Sequence, residues 1–442
     1  MSRARALLIA VLASAALATT GTGKATAKTA LIVERIRYIG TASYGRVVVD
    51  LSGSPQYRVL PVSADGKSTP PDRLVVDVAA AKIGPEARAP LEVGDSMLRG
   101  IRTGQYTLDT ARIVLDLASD LEARTFLLSD PYRLVIDLKG KAAARPSGEV
   151  SVTRIDSGRA AVHHGREPAP STSAAQGGAA PVVTDARGAL ASGRGSQQPV
   201  RRSPAGPSAF KVVLDPGHGG KDPGARGIRG VEEKDVVLSV SKLLASSLRA
   251  DGMEVALTRT DDRFLSLEER TAFANAQGAD LFVSIHANAS RNRTLHGVEV
   301  YYLNNTDNRG TLRLAAMENN LRWDPRNPSL QSAIPDLSYI LSDLRQTYKV
   351  EESKQLAEQL QQSVLSRLRS DYERVDDLGV KEGPFYVLVG AYMPCVLVEI
   401  SFLTNPTEGA RLGTSRYRRA LADGIHEGIR RYIAQTKLAK TL

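Results

Sequence analysis

Lys211-Val212-Val213-Leu214-Asp215-Pro216-Gly217-His218-Gly219-Gly220 reads as an apolar strand running straight into a turn. Val212 to Leu214 supply the strand, and Asp215-Pro216-Gly217 can only bend it. The turn delivers His218, flanked by glycines, to the carboxyl end of the strand. In open α/β sheets the crevice outside the strand ends collects ligands and catalytic groups, and glycines on either side let a metal or substrate approach the backbone closely. A lone histidine in a turn is also an ordinary structural residue, so its meaning rests on partners elsewhere.

Working outward from Phe210, strands and helices alternate: a helix from about Glu233, a strand over 254–258, a helix over 266–276, and strands over 281–286 and 298–303. After an insertion come a helix over 352–369, strands near Tyr386 and Val396, and a last helix over 416–433. That order predicts an α/β domain, residues 210–442, with a largely parallel twisted sheet flanked by helices. Glu233, Val237, Val240 and Leu244 fall at i, i+4, i+7 and i+11, so Glu233 extends the helix stripe that faces the sheet. Helix N-termini favour acids through the backbone dipole, which explains Glu233 equally well when it is taken alone.

The strand Leu281-Phe282-Val283-Ser284-Ile285-His286 again ends an apolar run in a histidine, a second imidazole on the same sheet edge. Two imidazoles and one carboxylate, leaving a fourth position for water, make an open catalytic zinc site. The ligands come from separate elements, so this is not an H-E-x-x-H helix. Glu399 interrupts the apolar strand P-C-V-L-V-E-I-S-F. A buried unpaired carboxylate is costly, so it needs a partner. Arg259 or Arg270 would serve; beside zinc, Glu399 would instead be the general base, taking a proton from water and returning it to a leaving amine.

At 442 residues the chain is long enough for two or more domains. Arg3 and Arg5 precede an apolar run from Ala6 to Ala18, and Ala25-Thr26-Ala27 offers a small-residue cleavage site, so residues 1–27 read as an export signal. No later segment is long and apolar enough to span a membrane, and no transmembrane anchor is expected after cleavage. Cys395 is the only cysteine and lies in an apolar run, which excludes an internal disulfide and predicts a small buried hydrophobe. The net charge of +10 raises nucleic acid as a partner, but export and the scarcity of aromatic residues argue against it. An anionic wall or membrane surface fits better.

Residues 28–140 repeat one theme four times: G-R-V-V-V-D-L at Gly45, D-R-L-V-V-D-V at Asp72, A-R-I-V-L-D-L at Ala111 and Y-R-L-V-I-D-L at Tyr132. Their β-branched content and the turn residues between them predict an all-β sandwich. Alternation sends Val47, Val49 and Leu51 to one face and Arg46, Val48 and Asp50 to the other, so a cross-strand Arg/Asp ladder is expected on a sheet surface. Residues 141–209 collapse into Ala, Gly, Ser, Pro and Arg and read as a disordered linker that also carries His163 and His164.

Residues 28–140, including I-R-T-G-Q at Ile101, resemble the AMIN domain that precedes cell-wall amidases in Gram-negative exported proteins. That resemblance implies peptidoglycan binding in the periplasm. Seven motifs occur in matching order in residues 210–442: D-P-G-H-G-G-x-D-P-G-A at Asp215, E-K-D at Glu233, T-R-x-x-D at Thr258, L-S-L-x-x-R-T at Leu265, S-I-H-A-N at Ser284, G-V-E-V-Y-Y-L at Gly297 and V-L-V-E-I-S-F-L-T-N at Val396. They resemble the zinc-dependent N-acetylmuramoyl-L-alanine amidases. The resemblance implies His218, Glu233 and His286 as Zn2+ ligands, Glu399 as the catalytic glutamate, and the amide between lactyl-muramic acid and L-alanine as the bond cut. Arg259 and Arg270 lie within these motifs and are expected to pair with acids; His296 reads as solvated and His426 as structural.

Residues 304–351 exceed what a compact α/β connection needs. Within them T-L-R-L-A-A-M-E-N-N-L-R-W-D-P reads as a helix stopped at Asp324-Pro325, with Leu314, Glu318 and Leu321 on one face. Division-associated members of the resembled family carry a helix here whose glutamate occupies the zinc until a protein activator displaces it. The resemblance thus implies Glu318 as an inhibitory fourth ligand; an ordinary surface helix is the alternative. Two rival functions remain at this stage: a zinc peptidase acting within the stem peptide, and a wall-binding scaffold without activity, against which the intact His218, Glu233, His286 and Glu399 stand.

Overall fold

The computed structural model describes residues 30–63, 72–129, 131–140, 153–157, 159–164, 210–227, 230–321 and 344–441. The export signal read over 1–27 lies outside them, as do residues 165–209 of the expected linker and 322–343 of the insertion, including the helix stop at Asp324-Pro325. Among the described residues no helix is long and apolar enough to cross a membrane.

The N-terminal domain is the expected all-β sandwich. Its strands are β1 (Leu31–Gly40), β2 (Tyr44–Leu51), β3 (Gln56–Val62), β4 (Arg73–Ala79), β5 (Ala81–Ile83), β6 (Leu91–Glu92), β7 (Leu98–Thr107), β8 (Thr110–Leu117), β9 (Leu121–Leu128), β10 (Tyr132–Gly140), β11 (Thr153–Asp156) and β12 (Arg159–His164). One sheet runs β12-β11-β1-β2-β10-β9, with β5 also on β1; the other runs β3-β4-β8-β7-β6. Val47, Val49 and Leu51 point into the shared core with Ile36, Leu134 and Ile136. Burial of side chains this size is worth about 1.5–3 kcal/mol each.

The alternate positions carry the charges. In the first sheet Arg46 lies opposite Asp137, and Asp50 receives Arg35 and Arg37 at 2.9 and 2.7 Å. In the second, Arg58 and Arg112 reach Asp77 at 2.8 and 2.6 Å, Arg102 reaches Asp116 at 2.8 Å, and Tyr106 stacks on Arg112 at 3.4 Å.

Strands β11 and β12 correct the expected linker boundary at residue 141. Thr153-Arg154-Ile155-Asp156 is a short fifth copy of the Arg–apolar–Asp theme, paired antiparallel with β1 through Arg37 opposite Asp156. Ile155 packs on the sandwich core, and Asp156 lies 3.6 Å from Arg35. This copy was hidden because a single large apolar residue between Arg154 and Asp156 carries no visible periodicity.

The C-terminal domain comprises β13 (Lys211–Pro216), α1 (Glu233–Ala250), β14 (Glu254–Leu257), α2 (Leu267–Ala276), β15 (Leu281–Asn288), β16 (Val298–Leu303), α3 (Arg309–Glu318), α4 (Leu344–Arg369), β17 (Asp377–Gly383), β18 (Cys395–Phe402), α5 (Pro406–Leu412) and α6 (Ser415–Thr441). The sheet order is β14-β13-β15-β18-β16-β17. Its pairs are parallel except β16 with β18. The strand expected near Tyr386 is instead a 3-10 turn, Tyr386–Leu388, and the pairing strand lies just before it as β17. Pro384 cannot donate to a ladder and closes β17, so the apolar run after it packs as a plug.

Alternation distributes the strand side chains to two layers. Val212, Leu214, Ile285 and Val398 face α1, α4 and α6. Val213, Phe282 and Leu397 face the opposite layer, made of the Phe385–Val389 segment and apolar residues of α2 and α3. Leu128 and Val135 of the sandwich belong to that second cluster, so the two domains share apolar contact. Cys395 is a free buried thiol, and burial pushes its pKa up to about 11, which keeps it a neutral hydrophobe.

Candidate active site

β13, α1 and β15 each end or begin at the same sheet edge, and each brings one donor. His218 sits in the turn after β13 with φ 56°, a left-handed conformation that non-glycine residues adopt rarely and usually at constrained sites. Its Nδ1 lies 3.0 Å from Asp222 Oδ2, which turns Nε2 inward. Gly217 has to lack a side chain: a Cβ there would come within 2.5 Å of the His286 ring. Gly224, with φ 65°, leaves the same kind of room for Glu233 and His218.

Glu233 opens α1 and is buried. The backbone N–H of Ala225 donates to its Oε2 at 2.8 Å and that of Ala287 to Oε1 at 2.9 Å, so the segment after β13 and the end of β15 fix the carboxylate. Its oxygens lie 3.2 Å from both His218 Nε2 and His286 Nδ1. The structure therefore brings together all three residues expected as ligands, with donor atoms within 4.8 Å of one another.

The set fits a zinc ion. His218 Nε2 and His286 Nδ1 are buried and make no hydrogen bond, which is expensive unless something else occupies them. Two imidazole nitrogens and a carboxylate spaced this way suit ligand bonds of about 2.0–2.2 Å to a common centre.

Glu318 and Glu399 approach from two sides. Glu318 ends α3, whose N-cap Asn308 accepts from Thr311, and its Oε2 lies 2.9 Å from His286 Nδ1 and 3.4 Å from His218 Nε2. Glu399 lies beside His286 in the β15–β18 register and forms a second cluster with His286 and Glu318. Both its carboxylate oxygens are buried without a hydrogen bond. Across β16 the neighbouring Glu299 is already engaged, by Lys381 at 2.5 Å and Asn288 at 2.6 Å.

The arginines suggested as partners for Glu399 are occupied elsewhere. Arg270 donates to Asp215 at 2.8 Å, as an arginine paired with an acid should. Arg259 does not meet that expectation: among the described residues it donates to the carbonyls of Pro216, Gly217, Lys234 and Asp261, tying the His218 turn to the start of α1. His296, expected in solvent, is half-buried, with Nδ1 2.8 Å from the Thr294 carbonyl and Nε2 3.3 Å from Asp376. His426 pairs with Asp251 at 2.8 Å, consistent with a structural role.

Electrostatics separate the carboxylates. Burial opposes charge on Glu233, but the adjacent His218 and His286 hold its carboxyl well below the usual range. Burial likewise opposes charge on His286, yet Glu318 and Glu233 raise it to about 9. His218 is raised well above its usual value by Glu233 and Asp222 against the same burial. Glu399 goes the other way: burial, and then the charges of Glu318 and Glu233, push it well above a normal carboxyl.

Asp215, at the end of β13, is a fully buried hub that accepts from Arg270, from Thr258 at 2.5 Å and from Ser284 at 2.8 Å. Burial opposes its charge, but Arg270 and the two hydroxyls win and depress its pKa below 3.8. A depressed carboxyl stabilises the fold above its unfolded pKa, and that contribution is lost as pH falls through the lower folded value. Asp215→Asn is expected to cost about 3–5 kcal/mol, because it strands a buried arginine, and to flatten the acid limb of stability. Urea midpoints followed down through the acid range check both.

Residues 212–431 match the family described as N-acetylmuramoyl-L-alanine amidase, and residues 35–126 match the AMIN domain. The N-acetylmuramoyl-L-alanine amidase AmiC of Neisseria meningitidis serogroup B is 33% identical over 390 residues, covering 84% of each chain. The chain belongs to the N-acetylmuramoyl-L-alanine amidases. AmiC of Escherichia coli is 27% identical over 410 residues, 91% of this amidase and 89% of that protein. The amidase AmiC2 of Nostoc punctiforme aligns in structure with 31% identity and a TM-score of 0.38, over 52% of this chain and 99% of its own.

Three further residues of the amidase site were not singled out from the sequence: Asp215, Asp222 and Gly224. Asp222, four residues after His218 in the same motif, orients the imidazole, and its spacing was the available signal. Asp215 looked like a turn former, while Gly217, read as leaving room beside His218, leaves that room for the His286 ring. Gly224 gave no sign of the crowding around it until the chain was folded.

Proposed function

We propose that this amidase, exported to the periplasm, cleaves the amide between N-acetylmuramic acid and L-alanine in peptidoglycan stem peptides during daughter-cell separation. In this reading His218, Glu233 and His286 hold zinc and Glu399 is the general base. The observation that carries it is the pair of orphaned imidazole nitrogens around a clamped Glu233, with an unpartnered carboxylate beside them. Bound zinc would supply Lewis acidity toward the scissile carbonyl and acidify the attacking water.

The protein's own groups do the rest. Glu233 stays ionised because two N–H groups and two imidazoles face it. Glu399 has a raised proton affinity and two free oxygens, which suit it to take a proton from water and return it to the leaving amine. Glu318 occupies the space between the imidazoles, where it competes with substrate. A protein activator that withdraws α3 would free the site, and the AMIN domain would keep the enzyme on its polymer. No feature of the site favours a peptidase acting within the stem peptide.

Mass spectrometry of the products released from purified peptidoglycan, beside the zinc content of the protein, tests the reading. Intact stem peptides with a free L-alanine amine are the expected product. Glu318→Ala is expected to raise activator-free release by about 10- to 100-fold, a coupling of roughly 1–3 kcal/mol. Fragments cut within the stem would refute the amidase specificity, and an unchanged Glu318→Ala rate would refute the block.

A further inference from the structure

The charged face of the first sandwich sheet is docked on the catalytic domain. Arg46, 0% exposed, pairs with Asp137 at 2.6 Å and also donates to the Glu268 carbonyl at 3.1 Å, Thr271 Oγ1 at 2.6 Å and the Gly390 carbonyl at 3.2 Å. Arg133 and Arg37 converge on the carboxylate of Glu268, the second residue of α2. Tyr392 donates to Asp137 at 3.1 Å.

The segment Pro384–Tyr392 lies between this face and the helix that carries Glu318. On one side the Tyr386 hydroxyl donates to the Ser129 carbonyl, and Arg133 lies 5.2 Å over the Tyr386 ring. On the other, Asn319, the C-cap of α3 and the residue next to Glu318, donates to the Pro384 carbonyl at 2.8 Å and accepts from the Tyr386 N–H at 2.8 Å. Leu128 and Val135 of the sandwich share an apolar cluster with Phe385–Val389 and with Leu314 and Ala315 of α3. Tyr386 is thus gripped by the sandwich through its side chain and by α3 through its backbone.

We propose that the AMIN domain is a latch on its own active site. Docked through Arg46, Arg133 and Glu268, it holds Pro384–Tyr392 where Asn319 binds, and so keeps Glu318 over His218 and His286; when the domains part, α3 loosens. This rests on Glu318 being the block and adds what keeps the block in place. The contact suits a separable one, because buried ion pairs add little net stability and interfaces between domains of one chain are commonly transient.

Glu268→Arg in the full-length chain tests it, setting a third guanidinium against Arg37 and Arg133 while removing no apolar core residue. Small-angle scattering reports domain separation, hydrogen exchange over residues 309–319 reports α3, and stem-peptide release reports activity, with Glu318→Ala as the reference. The expected result is an expanded particle, exchange over α3 faster by about 5- to 150-fold, and activator-free hydrolysis raised toward that of Glu318→Ala. Separated domains with unchanged α3 exchange would overturn the latch while leaving the block intact. If Glu318→Ala itself changes nothing, the block is wrong, and α3 exchange still decides the latch. Domains that stay together even when Thr271→Arg is added would also overturn it, since a latch has to open.

Discussion

Glu399→Gln lowers stem-peptide release by roughly 10²- to 10⁴-fold, the range a positioned general base supplies, with zinc content unchanged. Glutamine keeps the shape of the side chain and removes its charge together with its capacity to accept a proton. The site makes that the right probe. Both Glu399 oxygens are buried and unbonded, so the amide breaks no hydrogen bond, and the neighbouring Glu318 and Glu233 lose a like charge. The variant should therefore be at least as stable as the parent. Full activity in a folded Glu399→Gln enzyme would remove Glu399 from the chemistry. Thermal unfolding of the same preparation separates a chemical loss from a structural one.

His286→Ala goes further, to undetectable hydrolysis and a protein purified without zinc. His286 belongs to both donor clusters and lies against Gly217, so its loss takes one of the three proposed ligands and opens a void beside the turn that carries His218. Metal content measured directly, together with activity after zinc is added back, reads this out. Stoichiometric zinc in folded His286→Ala would show that the ion sits elsewhere. Asn at this position fills more of the void and distinguishes ligand loss from collapse.

The two histidines were legible because His286 directly follows an apolar run and His218 sits in the turn that ends one, and Glu233 because helical periodicity aligned it with the core stripe. Glu399 stood out as the lone acid of a buried strand. What lay hidden were relations between distant segments. Arg259 reads as a partner for acids, but it binds carbonyls, because the His218 turn brings several peptide oxygens to one point. The docking of Arg46 and Arg133 was equally invisible: the Arg/Asp repeat predicts a ladder, and both sheets have one, yet nothing in the repeat says which ladder meets α2. β11 escaped notice because its copy of the theme has one apolar residue, Ile155, where the other copies have three.

Because the two outer faces of a β-sandwich point in opposite directions, docking one ladder leaves the other, with Arg58, Arg102, Arg112 and the stacked Tyr106, turned away from the catalytic domain. If the AMIN domain holds the polymer as proposed, a glycan strand gripped on that outward face would not be the strand presented to His218 and His286. The docked enzyme would anchor on one chain of the polymer and cut in trans on another, so its output should depend on the density of neighbouring strands and fall on isolated soluble fragments.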